Sequence, residues 1–209
     1  MISLYANIQQ QVLLLPMNLS PTKFEILKAM LLFDKPVRVT LIANEVGKEF
    51  PSVMMHIIGL TRMGYTISPE KGEYALTEKG KRALGIPEVN RENAKKLLEP
   101  VSLYRSFHFY INIGKPSDLY AQGLQEFSEK ILKASIDSLK FHKSRGDFEA
   151  WFTWLGDVEL AKKVALLKER KIDAEKLRQQ LHDIVEKRCI VLANIAGQIA
   201  APSSTSLMA

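Results

Sequence analysis

One short stretch of the chain gathers the residues best equipped for chemistry: His142, Arg145 and Asp147, with Gly146 before the aspartate. An imidazole beside a carboxylate is the pairing that relays a proton, and a nearby guanidinium can hold an anion. His108 joins them as a fourth candidate, provided the fold brings it close. A plainer reading competes and is preferred: Asp147 caps a helix, Arg145 pairs with a carboxylate, and His142 packs beside Trp151. Phe148, Trp151 and Trp154 are spaced to wall a ligand pocket, although a packing core is the commoner role for such a face. Cys189, the single cysteine, is read as a bystander rather than a reactive thiol. The sequence contains no His-Glu-x-x-His, no paired cysteines, no phosphate loop, no dinucleotide fingerprint and no Gly-x-Ser-x-Gly elbow. The expectation is therefore no catalytic residue, no cofactor and no metal, with His108, His142, Arg145 and Asp147 kept together as one candidate site.

The elements that must position these groups belong to a chain of 209 residues, 46% of them hydrophobic and 25% charged. That length suits one large domain or two small ones. A lone cysteine excludes an internal disulfide framework and fits a reducing compartment. No apolar run, Val12 to Leu15 included, exceeds the five residues of 29–33 or 189–193, far short of the roughly 20 residues of a spanning helix, and residues 1–16 carry no Lys or Arg. The reading is a cytoplasmic protein with no membrane partner. Its 29 basic and 23 acidic residues leave a net charge of +6, which leans toward an anionic partner. The charge is spread, with ten basic and seven acidic residues in 20–86 and sixteen and thirteen in 101–192. Any electrostatic footprint must come from folding.

Punctuation divides the chain into an N-terminal extension (1–16), a first domain (17–86), a charged linker between Pro87 and Pro100 (87–100), a second domain (101–195) and a flexible tail (196–209). In the first domain Ser20-Pro21 opens a helix striped with Phe24, Leu27 and Leu31, ended by Asp34-Lys35-Pro36. Val37-Arg38-Val39 is a short strand. Thr40 caps a second helix that buries Ile42 and Val46 and stops at Gly47. Pro51 and Ser52 start a third, with Val53, Ile57 and Leu60 inward, stopped by Gly64. Residues 65–68 and 73–76 form a hairpin about the turn Pro69-Glu70-Lys71-Gly72, and Thr77 caps a closing helix through Leu84.

This order, with the segments Gly-Tyr-Thr-Ile and Tyr-Ala-Leu-Thr-Glu-Lys-Gly-Lys-Arg-Ala-Leu, resembles the winged helix-turn-helix domain of prokaryotic regulators over residues 20–85. The resemblance implies that the third helix enters the major groove of DNA while the hairpin grips adjacent phosphates. Carried onto this sequence, the DNA-binding residues are Lys48, Ser52, Met55, Gly59, Arg62 and Lys71. Among the outward positions of the third helix, only Arg62 can donate to guanine or phosphate. The expected binding is to duplex DNA, held by phosphate contacts with little selectivity. Lys79, Lys81 and Arg82, after the hairpin, are further candidates for phosphates.

The second domain alternates over Phe107–Ile113, a strand, and then reads as helical. Gly114–Asp118 is a loop, followed by helices striped with Tyr120, Leu124, Phe127, Ile131 and Ala134, capped at Ser138, capped at Asp147, opened by Asp157, and opened by Asp173. The last carries Leu177, Leu181, Ile184, Arg188, Val191 and Ile195 along one stripe, suited to an internal core or a homodimer seam. Phe-His-Phe-Tyr, Phe-His-Lys-Ser-Arg-Gly-Asp-Phe-Glu-Ala-Trp and Gly-Asp-Val-Glu-Leu-Ala resemble a helical domain family associated with archaea, over about residues 105–190. That family has no assigned function, so the resemblance transfers no site.

The fold class expected is α+β: an N-terminal winged helix and a mainly α-helical second domain. The function expected is that of a non-enzymatic DNA-binding regulator of transcription, with the second domain serving dimerisation, partner contact or ligand sensing. The alternative is an adaptor whose winged helix docks a protein or ribonucleoprotein through Met55 and Ile58. An enzyme centred on His142 and Asp147 ranks last.

Overall fold

A computed structural model describes residues 19–170 and 172–197. The expected extension 1–16, and the expected tail beyond 197, lie outside them. The chain divides at Glu88/Val89 into two compact units, rich in helix, with two small antiparallel sheets.

The N-terminal unit runs α1 (Pro21–Met30), β1 (Val37–Arg38), α2 (Val39–Val46), α3 (Phe50–Arg62), β2 (Thr66–Glu70), β3 (Glu73–Leu76) and α4 (Glu78–Ala83). Ser20 caps α1 by accepting from the Lys23 amide, and Pro21 sits at the first helical position where no amide is needed. The buried side of α1 centres on Ile26, Leu27 and Met30; of the expected stripe Leu27 and Leu31 are buried and Phe24 is only half-buried. The second helix begins at Val39, before Thr40, with Arg38 as an N-cap whose side chain makes no capping bond. Val39 is buried and Thr40 exposed: the apolar side chain is drawn into the core and sets the start. In α3 Val53, Ile57 and Leu60 are wholly buried, as their spacing requires. The strands pair in the order β1-β3-β2. The hairpin turn is shorter than expected: Glu70 pairs with Glu73 across Lys71-Gly72, and Gly72 supplies φ +82°. Pro69 therefore lies within β2, at a register shift on the sheet edge where its missing amide costs no ladder bond.

The C-terminal unit starts earlier than expected. Residues 91–98 form α5 (Arg91–Leu98), whose Ala94 and Leu97 are buried in this unit's core and which packs along the final helix. The segment 87–100 is thus in large part a core element rather than a spacer. A short 3-10 turn (Leu103–Arg105) leads into β4 (Phe107–Asn112), which pairs with β5 (Lys115–Ala121). The second strand replaces the expected loop at Gly114–Asp118 and takes Tyr120 out of the helix that follows. That helix, α6 (Leu124–Ile131), does bury Leu124, Phe127 and Ile131.

Four helices complete the unit: α7 (Ile136–Arg145), α8 (Asp147–Leu155), α9 (Val158–Lys168) and α10 (Ala174–Ala196). Ser135, not Ser138, caps α7. Asp147 does not cap α8 either. Gly146 turns the chain at φ +80°, and the aspartate becomes the first helical residue with its carboxylate free for side chains. On α10 the buried positions are Leu177, Leu181, Val185, Arg188, Cys189, Leu192 and Ala196. Val191 and Ile195, expected on the same stripe, are exposed. A straight α-helix drifts about 20° per heptad against a 3.5-residue repeat, so over six turns the buried face migrates.

Aromatic rings fill the centre of this core. Phe107 meets Phe109 at 4.9 Å and Phe127 at 5.3 Å, and Phe127 meets Phe152 at 5.0 Å, all edge to face. Beside them Arg188 is almost fully buried and forks onto Asp157 at 2.7 and 2.9 Å, with a third bond to Glu159 at 3.0 Å. Asp157 also accepts from the Leu160 amide as the cap of α9. Burial works against the Arg188 charge, but Asp157 and then Glu159 outweigh it and its pKa is raised. Burial, with Asp157 adding to it, pushes the Cys189 thiol up to about 11, so it stays protonated and poorly nucleophilic.

Removing one member of a buried pair leaves the other charged and unpartnered, at a cost of about 3–5 kcal/mol. Arg188→Ala is expected to lower unfolding stability by that order, measured by urea denaturation. Arg178→Ala, which removes an arginine capping the end of α6 through the Ile131 and Leu132 carbonyls, is expected to cost less.

Candidate functional site

Two regions hold the residues singled out by sequence. In the C-terminal unit β4, α7 and α8 line an open cavity of about 480 Å³ whose lining includes all four of His108, His142, Arg145 and Asp147. His142 is 3% exposed. Its Nε2 accepts the Tyr110 backbone amide of β4 at 2.8 Å. An amide can only donate, so Nε2 carries no proton and Nδ1 does. Nδ1–H then donates to Asp147 Oδ2 at 2.7 Å. The same carboxylate accepts from Arg145 Nε at 3.1 and 3.3 Å, and the Arg145 guanidinium lies over the Phe141 ring at 5.1 Å.

This geometry contains the Asp–His half of a proton relay and blocks its working end. The lone pair that a general base offers to substrate is spent on a backbone amide. The imidazole is a staple between β4 and the start of α8. Burial depresses its pKa below the ordinary 6.5, with Asp147 opposing the shift and Arg145 adding to it. His108 is held apart from this chain of bonds: its Nε2 sits 3.0 Å from Ser106 Oγ and 3.2 Å from the Leu103 carbonyl. Trp151 lines the cavity and belongs to the core at once, its indole N–H donating to the Arg105 carbonyl at 3.1 Å. Trp154 is half-exposed under the Arg105 guanidinium, 4.7 Å away, so the three expected aromatic residues do not share one wall. Among the described residues no cluster of His, Cys, Asp and Glu is arranged to hold a metal ion.

The second region is the exposed side of α3 with the β2–β3 hairpin. Burying Val53, Ile57 and Leu60 turns Pro51, Met55, Ile58 and Arg62 to solvent. Met55 is 66% exposed and Ile58 38%. Arg62 at the end of α3 and Lys71 at the hairpin turn are both exposed, and neither makes an ion pair among the described residues. Ser52 is half-buried on the flank. Lys48 is committed in part to Glu25, 3.4 Å away. Gly59 lies beneath Lys23 of α1: a Cβ there would meet that side chain's Cε at 3.5 Å. Lys23, whose Nζ is 3.7 Å from Met63 Sδ, is thus a cation beside the α3 surface that sequence spacing did not reveal, because it arrives from another helix. The cations following the hairpin are engaged. Lys79 caps the end of α3 by donating to the Met63 carbonyl at 2.7 Å, Lys81 faces Glu78 at 3.3 Å, and Arg82 faces Glu88 at 3.4 Å.

No family model, no curated protein and no solved structure matches this chain. No described helix is long and apolar enough to cross a membrane.

The His142 staple gives a pH dependence with a definite sign. The unfolded chain takes up a proton on this imidazole near pH 6.5 while the folded chain resists it, so stability is full above that value and falls as the pH drops below it. Urea denaturation between pH 8 and 5 is expected to show this loss. In His142→Gln, which keeps an acceptor and does not titrate, the loss over that window is expected to be smaller.

Proposed function

We propose that the chain is a DNA-binding protein, a regulator of transcription that acts by occupancy, with its N-terminal unit working as a winged helix. The observation that carries the reading is the pairing of an exposed α3 face with an adjacent hairpin, each bearing a cation without an ion-pair partner among the described residues, Arg62 and Lys71. In this reading α3 lies along the major groove and the Lys71-Gly72 turn reaches the neighbouring phosphates. Arg62 and Lys71 supply charge to the backbone, joined by Lys23 over Gly59. Because Met55 and Ile58 offer no hydrogen bond to a base edge, binding draws on phosphates and tolerates many sequences. The net charge of +6 acts in the same direction.

A second reading, a protein-docking adaptor, is favoured by one specific observation: Phe50, Met55 and Ile58 are exposed on one short helix, at 46%, 66% and 38%. Apolar surface of this kind marks contact with another protein.

Retardation of labelled duplexes by the purified full-length chain, at two salt concentrations, separates the readings. Arg62→Ala is expected to weaken duplex binding, and Lys71→Ala to reduce the salt slope by about one unit. Met55→Ser is expected to leave DNA affinity nearly unchanged. Duplexes that migrate freely at low salt beside the wild-type protein overturn the DNA reading.

A further inference from the structure

The cavity between β4, α7 and α8 is lined by both polar and apolar residues, and the bonds already made within it leave few groups to greet a ligand. Both nitrogens of His142 are occupied, and both oxygens of Asp147 accept from neighbours. The Trp151 N–H is spent on a carbonyl. Arg145 is different. Only its Nε is bonded, and Nη1 and Nη2 make no hydrogen bond among the described residues. Those two terminal nitrogens form an edge of the guanidinium suited to two parallel bonds with a carboxylate.

The edge is also held in place. Tyr110 N–H fixes His142, His142 fixes Asp147, Asp147 fixes Arg145 Nε, and the Phe141 ring lies under the guanidinium. A prepositioned donor pair loses less freedom when it binds. Phe107, Phe141 and Trp151 supply an apolar lining, and about 480 Å³ falls within the range of small-molecule sites. The charge balance selects the anion. Asp147 offsets Arg145, so a compact dianion such as phosphate gains little there and buries no apolar surface. A monoanion with a flat hydrophobic body gains from both the guanidinium and the apolar lining.

We propose that this cavity binds a small organic monocarboxylate with an aromatic or aliphatic body, its carboxylate on the Arg145 edge and its body against Phe107 and Trp151. The site stands independently of the DNA reading.

Phenylacetate, phenylacetamide, hexanoate and inorganic phosphate are the probes, titrated into the full-length chain by calorimetry and by tryptophan fluorescence, since Trp151 is in the lining. Phenylacetate is expected to bind at least tenfold more tightly than its neutral amide, and more tightly than phosphate. Arg145→Gln, at a half-exposed position, is expected to erase the preference for the acid over the amide. Ala150→Trp, which fills the cavity from an exposed position of α8, is expected to abolish binding of acid and amide alike while leaving Arg145 in place. The proposal is overturned if neither carboxylate binds at millimolar concentration, if acid and amide bind equally, if phosphate binds best, or if Arg145→Gln leaves the preference intact.

Discussion

The organisation of the C-terminal unit turns on one imidazole. His142 accepts an amide of β4 with one nitrogen and donates to the first residue of α8 with the other. Strand, helix α7 and helix α8 are thereby locked in a single register inside the apolar cluster, where an unpaired polar atom would cost as much as a lost hydrogen bond or more. The same two bonds settle what the group does. A histidine with both nitrogens satisfied and its acid form disfavoured is a rivet, and the polarity it brings into the core is passed outward through Asp147 to Arg145. The one edge left open at the end of that chain belongs to the guanidinium.

Arg188 solves a parallel problem on α10. Here a full charge is buried, and it is tolerable because its donors meet two carboxylates, one of which also caps α9. Such an arrangement adds little net stability over a well-packed apolar substitute. Its effect is to fix where α9 begins relative to α10. The reactivity of Cys189 is set by the same surroundings: burial and the Asp157 charge keep the thiol protonated.

In the N-terminal unit the dividing line runs along α3. Its inward face is aliphatic and wholly buried, while its exposed surface joins the apolar side chains of Phe50, Met55 and Ile58 to a terminal arginine. Cations from elsewhere then distribute themselves by geometry. Lys79 is consumed in closing the end of α3, Lys48 leans to Glu25, and Lys23 crosses from α1 to lie over Gly59. What remains unpaired among the described residues at the α3 end and at the hairpin turn, Arg62 and Lys71, is a subset that charge counting along the sequence does not isolate.

Local rules determined much of this protein from its sequence. Ser20, Thr77, Asp157 and Asp173 cap the helices they precede, and the inward triplet of α3 follows from 3.6-residue spacing, because capping and amphipathic burial involve only near neighbours. Tertiary structure alone decided the rest. Gly114–Asp118 reads as a loop, since Pro116, Ser117 and Asp118 carry no strand preference, yet Lys115–Ala121 forms a strand because β4 offers it a ladder. Asp147 reads as a cap and is instead recruited by His142 and Arg145. Arg188 sits on an apolar stripe, and nothing nearby in sequence names Asp157 and Glu159 as its partners. For Arg188 the deciding partners lie 31 and 29 residues away, and the His142 that recruits Asp147 is itself fixed by the Tyr110 amide 32 residues away; bonds of this kind are worth more in the buried interior than the local preferences they override.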